Sequence, residues 1–88
     1  MKVLLFYRKD TEYSRAVDEF VHDLSHQYPE AEVSMIDVDT QEGSRQAVTY
    51  DVVQYPTVIA VRDDGGTLQR WDAGQLPLMN EVAFFSNQ

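Results

Sequence analysis

The sequence predicts an α/β fold, a mixed four-stranded sheet flanked by helices in the order β-α-β-α-β-β-α. Three observations predict it. A short apolar run, Lys2 to Tyr7, leads into a segment whose apolar residues recur in steps of three and four, and then into a second strand-like segment. A strand, helix, strand unit of this kind forces a parallel pair with a right-handed crossover. Further on, Asp63-Asp64-Gly65-Gly66 lies between two extended segments and offers positive-φ residues for a hairpin, which adds an antiparallel pair. The 88 residues give room for one domain, 1–88, with one core.

Each element has its own signal. Lys2 to Tyr7 (KVLLFY) is apolar without alternation, as in a strand covered on both faces. From Tyr13, Ala16, Val17, Phe20, Val21, Leu24 and Tyr28 mark one face of an amphipathic helix that Pro29 ends, and Glu12, Arg15, Asp18, Glu19, His22, Asp23 and His26 form the other. Glu32 to Val38 reads as the second strand and Gln41 to Tyr50 as a short helix. Pro56 to Arg62 is the third strand, and Thr67 to Ala73 the fourth. Pro77, suited to the first turn of a helix, opens a closing segment through Phe85.

Composition narrows the function. With 43% hydrophobic and 25% charged residues the chain has a globular balance, and the absence of cysteine excludes disulfides, thiolate metal sites and iron–sulfur clusters together. The formal charge of −8 repels nucleic-acid phosphates and anionic lipid alike, so the expected partners are proteins, peptides or small molecules, with no nucleic acid and no membrane. The unbroken apolar or aromatic run before Arg8, Val3 to Tyr7, has only five residues, fewer than the roughly 7 to 15 of a signal core, which makes a cytoplasmic location the expectation.

Several residues invite a chemical role. Asp10 or Thr11 can cap the first helix, with Glu12 well placed against its dipole; the alternative is an anion pocket of helix N–H groups with Arg8, Lys9 and Arg15. Ser14 has no base in reach, because His22 lies about 12 Å further along the same helix, so a side chain buried near the helix start is expected instead. His22 and His26, with Asp18 and Glu19, have metal-ligand spacing but share the polar face, where a solvated surface is the expected reading. Asp37 and Asp39 read as a solvated strand exit. Trp71 is expected to cover the core beneath the last helix. No metal, cofactor or catalytic residue is called for.

Phe6 to Ser14, Ile36-Asp37-Val38-Asp39, the stretch Tyr50-Asp51-Val52-Val53-Gln54-Tyr55-Pro56-Thr57, Asp64-Gly65-Gly66 and Gly74 together resemble the thioredoxin family over nearly the whole chain. The resemblance implies a minimal thioredoxin-like fold without the family's extra first strand and helix, and a cis Tyr55–Pro56 bond facing the loop at Thr11 to Ser14. It also places Thr11 and Ser14 where the two active-site cysteines stand, Asp10 at the usual tryptophan, Leu5 at the buried aspartate and Met35 at its lysine partner. Thiol–disulfide exchange needs a thiolate, which neither hydroxyl can supply. The backbone of Tyr55, in the family a pairing site for extended substrate, needs no cysteine. The expected function is therefore that of a redox-inactive, noncovalent peptide-binding or scaffold module, with Thr11, Glu12, Tyr13, Ser14, Tyr55, Pro56 and Gly74 as its binding surface. The rivals are a thiol-independent glutathione or anion-binding enzyme on the same fold, and a cysteine-free variant of an oxidoreductase, which the loss of the aspartate and lysine at Leu5 and Met35 disfavours.

Overall fold

In β1 (Lys2–Tyr7) the four central residues, Val3, Leu4, Leu5 and Phe6, are all buried. A strand apolar on both faces belongs inside a sheet, and β1 lies there. It runs parallel to β2 (Glu32–Asp37) and antiparallel to β3 (Thr57–Val61). With β4 (Thr67–Trp71) the sheet order is β2-β1-β3-β4. Three helices, α1 (Ser14–Gln27), α2 (Gln41–Thr49) and α3 (Met79–Ser86), complete the order β-α-β-α-β-β-α. The computed structural model describes residues 1–9, 11–72 and 76–86.

Alternate residues of β1 feed two cores. Leu4 and Phe6 join Ile36, Val38, Ile59 and Val61 under Ala47 of α2, while Val3 and Leu5 join Val58 beneath Val17, Phe20 and Leu24 of α1 and Val82 of α3. Each large side chain so buried contributes roughly 1.5–3 kcal/mol of hydrophobic stabilisation. Ala16, expected on the apolar face of α1, is exposed, because the buried stripe follows Val17, Phe20 and Leu24 and leaves the residue before it at the flank.

The helix ends explain the small departures from the expected boundaries. The α2 N-cap is Thr40, whose hydroxyl accepts from the Gly43 N–H at 3.0 Å. Gly43 packs so tightly that a Cβ there would collide with the Asp37 carbonyl. At the other end Tyr50 is the C-cap, Asp51 takes a left-handed φ of 55°, and the N–H groups of Asp51 and Val52 return to the carbonyls of Val48 and Ala47. The Arg70 guanidinium donates to the carbonyls of Tyr50 and Asp51 at 2.8 and 3.2 Å, satisfying the helix terminus, and Asp72, bonded to the same guanidinium, raises its pKa. The closing helix begins at Met79 rather than at Pro77, since Glu81 reaches back to accept from the Leu78 N–H at 3.0 Å and fixes the first turn there.

The hairpin also differs in detail. Gly65 alone takes a positive φ, +96°, after a turn closed from its N–H to the Arg62 carbonyl, and a register shift falls between Ala60 and Val61. A turn of this kind with a bulge replaces the two-residue hairpin that Asp64-Gly65 suggests. Trp71 half-covers the core as expected, edge-on to Phe85 at 6.0 Å, with its indole N–H donating to Glu81. Among the described residues no helix is long and apolar enough to cross a membrane.

Candidate functional site

The C-terminal end of β1 and the start of α1 face the turn that enters β3. Register sets this meeting: Phe6 pairs with Thr57, so Tyr7 comes opposite Pro56 one step further along. The Tyr55–Pro56 peptide bond is cis. Thr57, fully buried, anchors the turn by donating its hydroxyl to the Gln54 carbonyl at 2.6 Å. Val52 is held in the core from the other side.

Between the two segments lies a mainly apolar cleft of about 250 Å³ lined by Tyr7, Arg8, Thr11, Tyr13, Val17, Tyr55 and Pro56. Tyr13 is 39% exposed at its rim. The Arg8 guanidinium stands 5.8 Å from the centre of the Tyr55 ring and donates twice to Asp39, at 3.2 and 3.0 Å. It therefore serves as a positioned wall of the cleft. Among the described residues, neither the N–H nor the carbonyl of Tyr55 has a hydrogen-bond partner.

The loop before α1 is bonded to itself. The Ser14 N–H donates to the Thr11 carbonyl at 3.1 Å, the Thr11 N–H donates to the Ser14 hydroxyl at 3.0 Å, and the Thr11 hydroxyl accepts from Tyr13 at 3.3 Å. This corrects the capping expectation. Tyr13, in a right-handed conformation, is the N-cap and receives no side-chain cap, because the tight Thr11–Ser14 turn ties the Thr11 hydroxyl to the N-cap's own N–H. Asp10, the other proposed cap, lies outside the described residues, and so does Gly74. The three cations of the alternative anion pocket are all engaged: Arg8 with Asp39, Lys9 with Asp37 at 3.8 Å, and Arg15 with Glu19 at 3.7 Å.

Of the residues singled out from sequence, the structure gathers Thr11, Tyr13, Tyr55 and Pro56 around one cleft. Ser14 is half-buried and, with its hydroxyl bonded to the Thr11 N–H, lines a second hollow of about 250 Å³ with Tyr7, Lys9, Val17, Asp18 and Met35. Glu12 is exposed and lines neither. Tyr7, Arg8 and Val17 were missed. Strand alternation past Phe6 and helical spacing from Tyr13 to Val17 carried the signal, but only the β1–β3 register reveals it. His22 and His26 are exposed with rings stacked at 5.6 Å, and no group of potential metal ligands occurs among the described residues. Leu5 is fully buried in the hydrocarbon under α1, whereas Met35 is 41% exposed.

This element order, sheet order and turn define a thioredoxin-like fold. The fold is present without a thiol: the chain has no cysteine, so it offers no thiolate for thiol–disulfide exchange. No protein-family model matches the sequence, and no characterised protein matches it either. Solved structures do. Thioredoxin-2 of the malaria parasite, described as a component of its protein secretion machinery, superposes with a TM-score of 0.81 at 21% identity over 99% of this chain and 82% of its own. Thioredoxin 1 of the thermophilic eubacterium Thermosipho africanus gives 0.76 at 17% identity, covering 99% and 92%. Fasciola hepatica thioredoxin gives 0.74 at 24%, covering 94% and 74%.

Proposed function

We propose that the protein is a noncovalent binding module that receives an extended peptide segment of a protein partner in the cleft between residues 11–13 and Tyr55-Pro56. One observation carries the reading: among the described residues the Tyr55 N–H and carbonyl have no partner, beside an apolar, tyrosine-lined cleft. Backbone groups of this kind pair with an extended chain by hydrogen bonds, and the adjacent hollow takes an alternate side chain. Tyrosines suit the task, since their rings supply contact area at low entropic cost and their hydroxyls stay wet. The rival anion-handling reading is disfavoured by the engagement of Arg8, Lys9 and Arg15 with carboxylates. That a parasite thioredoxin of the same fold belongs to a secretion assembly is consistent with protein-binding use of the scaffold, though fold alone assigns no partner.

The test is a selection of displayed peptides on the protein, with Tyr55→Asp as the counter-target. Selected peptides should bind the parent protein and lose affinity for Tyr55→Asp and for Tyr13→Ala. Peptides that bind all three proteins equally contradict the proposal.

A further inference from the structure

The net charge of this protein has an address. Between Ala16 and Ser44 lie eight of the fifteen carboxylates, Asp18, Glu19, Asp23, Glu30, Glu32, Asp37, Asp39 and Glu42, and none of the seven lysines and arginines. The rest of the chain balances, seven acids against seven bases, so the whole formal charge of −8 belongs to one continuous stretch. That stretch comprises α1, β2 and the start of α2. Among the described residues Asp18, Asp23, Glu30 and Glu32 have no cation within salt-bridge distance.

At the centre of this stretch is an open sheet edge. Among the described residues β2 pairs only with β1, and their register runs without interruption from Lys2↔Glu32 to Tyr7↔Asp37. The Glu32 N–H donates to the Met1 carbonyl at 3.2 Å and the Val38 N–H to the Tyr7 carbonyl at 3.1 Å. Residues of a parallel strand alternate in the neighbour they bond, so Ser34 and Ile36 also face β1. Val33 and Met35 therefore turn their N–H and carbonyl groups outward, where no partner meets them among the described residues. The Asp37 carbonyl is closed off by the Thr40 N–H and hydroxyl, at 3.1 and 2.7 Å. The opposite edge, β4, is shorter and lies against the irregular register at Ala60/Val61, a device that blunts an edge.

The two faces of the sheet beside β2 are hollowed over β1 and its neighbours, on the inner side of the β2 edge. Glu32 borders a cleft of about 460 Å³ with Lys2, Leu4, Gln46, Tyr50 and Arg62 on the α2 side, and Met35 borders the 250 Å³ hollow with Asp18 on the α1 side. An added strand projects its side chains alternately to the two faces, so those on the α2 face would lie beside Glu32 and those on the α1 face would lie toward Asp18.

We infer that the β2 edge is a strand-addition site for an extended, lysine- or arginine-bearing segment of another protein, separate from the Tyr55 cleft. Charge selects this occupant. A second copy would bring one carboxylate-rich stretch against another, and like charges across a strand pair are destabilising. A basic segment pairs with the same backbone groups and neutralises Glu32 and Asp18 as it does so.

The probe is a soluble peptide of alternating lysine and valine, capped at both ends, with a glutamate-for-lysine peptide as its counterpart. Amide NMR of the protein should show shift changes centred on Val33 and Met35, and slowed hydrogen exchange at those two amides, with the basic peptide only. The effect should weaken as salt rises. Met35→Pro removes an outward N–H but no ladder bond, and should weaken binding by about tenfold or more, the worth of a hydrogen bond and the contact around it. Combining Glu32→Lys with Asp18→Lys should reverse the preference toward the acidic peptide. Diffuse shifts without exchange protection, protection at Tyr55 instead, or no binding at all would each overturn the site and leave the acidic edge as a guard against self-pairing. If Met35→Pro does not fold, the exchange rates of the unsubstituted protein decide.

Discussion

Across the tyrosine-lined cleft, two segments hold opposite kinds of group. Residues 11–14 present hydroxyls and amides that satisfy one another, whereas the turn at residues 54–57 presents a backbone N–H and carbonyl, at Tyr55, that no described residue satisfies. The first segment sits at a helix start, where one side chain can replace another with little effect on the core. The second is held by Thr57, which is fully buried, and by the β1–β3 register, so its backbone geometry is fixed by the same contacts that make the sheet. The difference teaches that thiol chemistry lives in replaceable side chains, while the strand-end backbone on which the proposed binding rests is set by the fold.

Restoring the lost side chains is the largest perturbation of that contrast. The protein itself should leave insulin reduction by dithiothreitol at the no-protein blank, for want of a thiolate. The double variant Thr11→Cys with Ser14→Cys should form a disulfide under mild oxidant, since the two residues already close a tight turn at the start of a helix. Its reductase activity should be detectable but weak, because Leu5 gives no carboxylate to take the second thiol's proton. Absence of the disulfide would show that the two positions are not adjacent.

Adding Leu5→Asp asks whether the buried acid can simply be put back. Leu5 has no exposed surface and sits among Val17, Phe20 and Leu24, so the substitution should lower stability by about 4 kcal/mol or more, through lost packing and an unpaired buried carboxyl. Urea denaturation reads this directly. A loss below about 1 kcal/mol would mean that the site still accommodates the old chemistry.

On the other side of the cleft, Thr57→Val keeps the shape and deletes the donor to Gln54. The expected loss is about 1–2 kcal/mol, with weakened peptide affinity as the turn loosens. Unchanged stability and unchanged affinity would separate the turn from its anchor.

The smallest effect belongs to the turn between β3 and β4, away from the Tyr55 cleft. Asp64 is fully exposed, and its carboxyl is held below the usual carboxylate range first by the Gly66 N–H and then by Arg62. A pKa depressed on folding stabilises above the unfolded value and is lost as pH falls through the folded one. Asp64→Asn should therefore slightly lower the melting temperature at neutral pH, with the difference vanishing in strong acid. A difference that grows on acidification would reverse the sign.

Much of this architecture was legible in the residues. The uninterrupted apolar run of β1 announces a central strand, and the stripe of Val17, Phe20 and Leu24 announces the helix above it. Local chemistry was less legible wherever two signals competed. Pro77 suggested a helix start that Glu81 sets two residues later, and Asp64-Gly65 suggested a tighter hairpin than the bulged one observed. At the cleft, Thr11, Tyr13, Tyr55 and Pro56 could be named from order and spacing. Tyr7, Arg8 and Val17 could not, because their meeting depends on the pairing of Phe6 with Thr57, a contact between residues fifty positions apart. Ser14, named with Thr11 and Tyr13, lines the neighbouring hollow, and its hydroxyl accepts from the Thr11 N–H.

The central claim is that binding through the Tyr55 backbone persists without sulfur. Its most direct test is the hydrogen-exchange rate of the Tyr55 amide, measured free and with a peptide selected on the protein. The account predicts fast exchange in the free protein and clear protection in the complex, with shifts reaching Thr11 and Tyr13. A bound peptide that leaves the Tyr55 amide exchanging as before would contradict it.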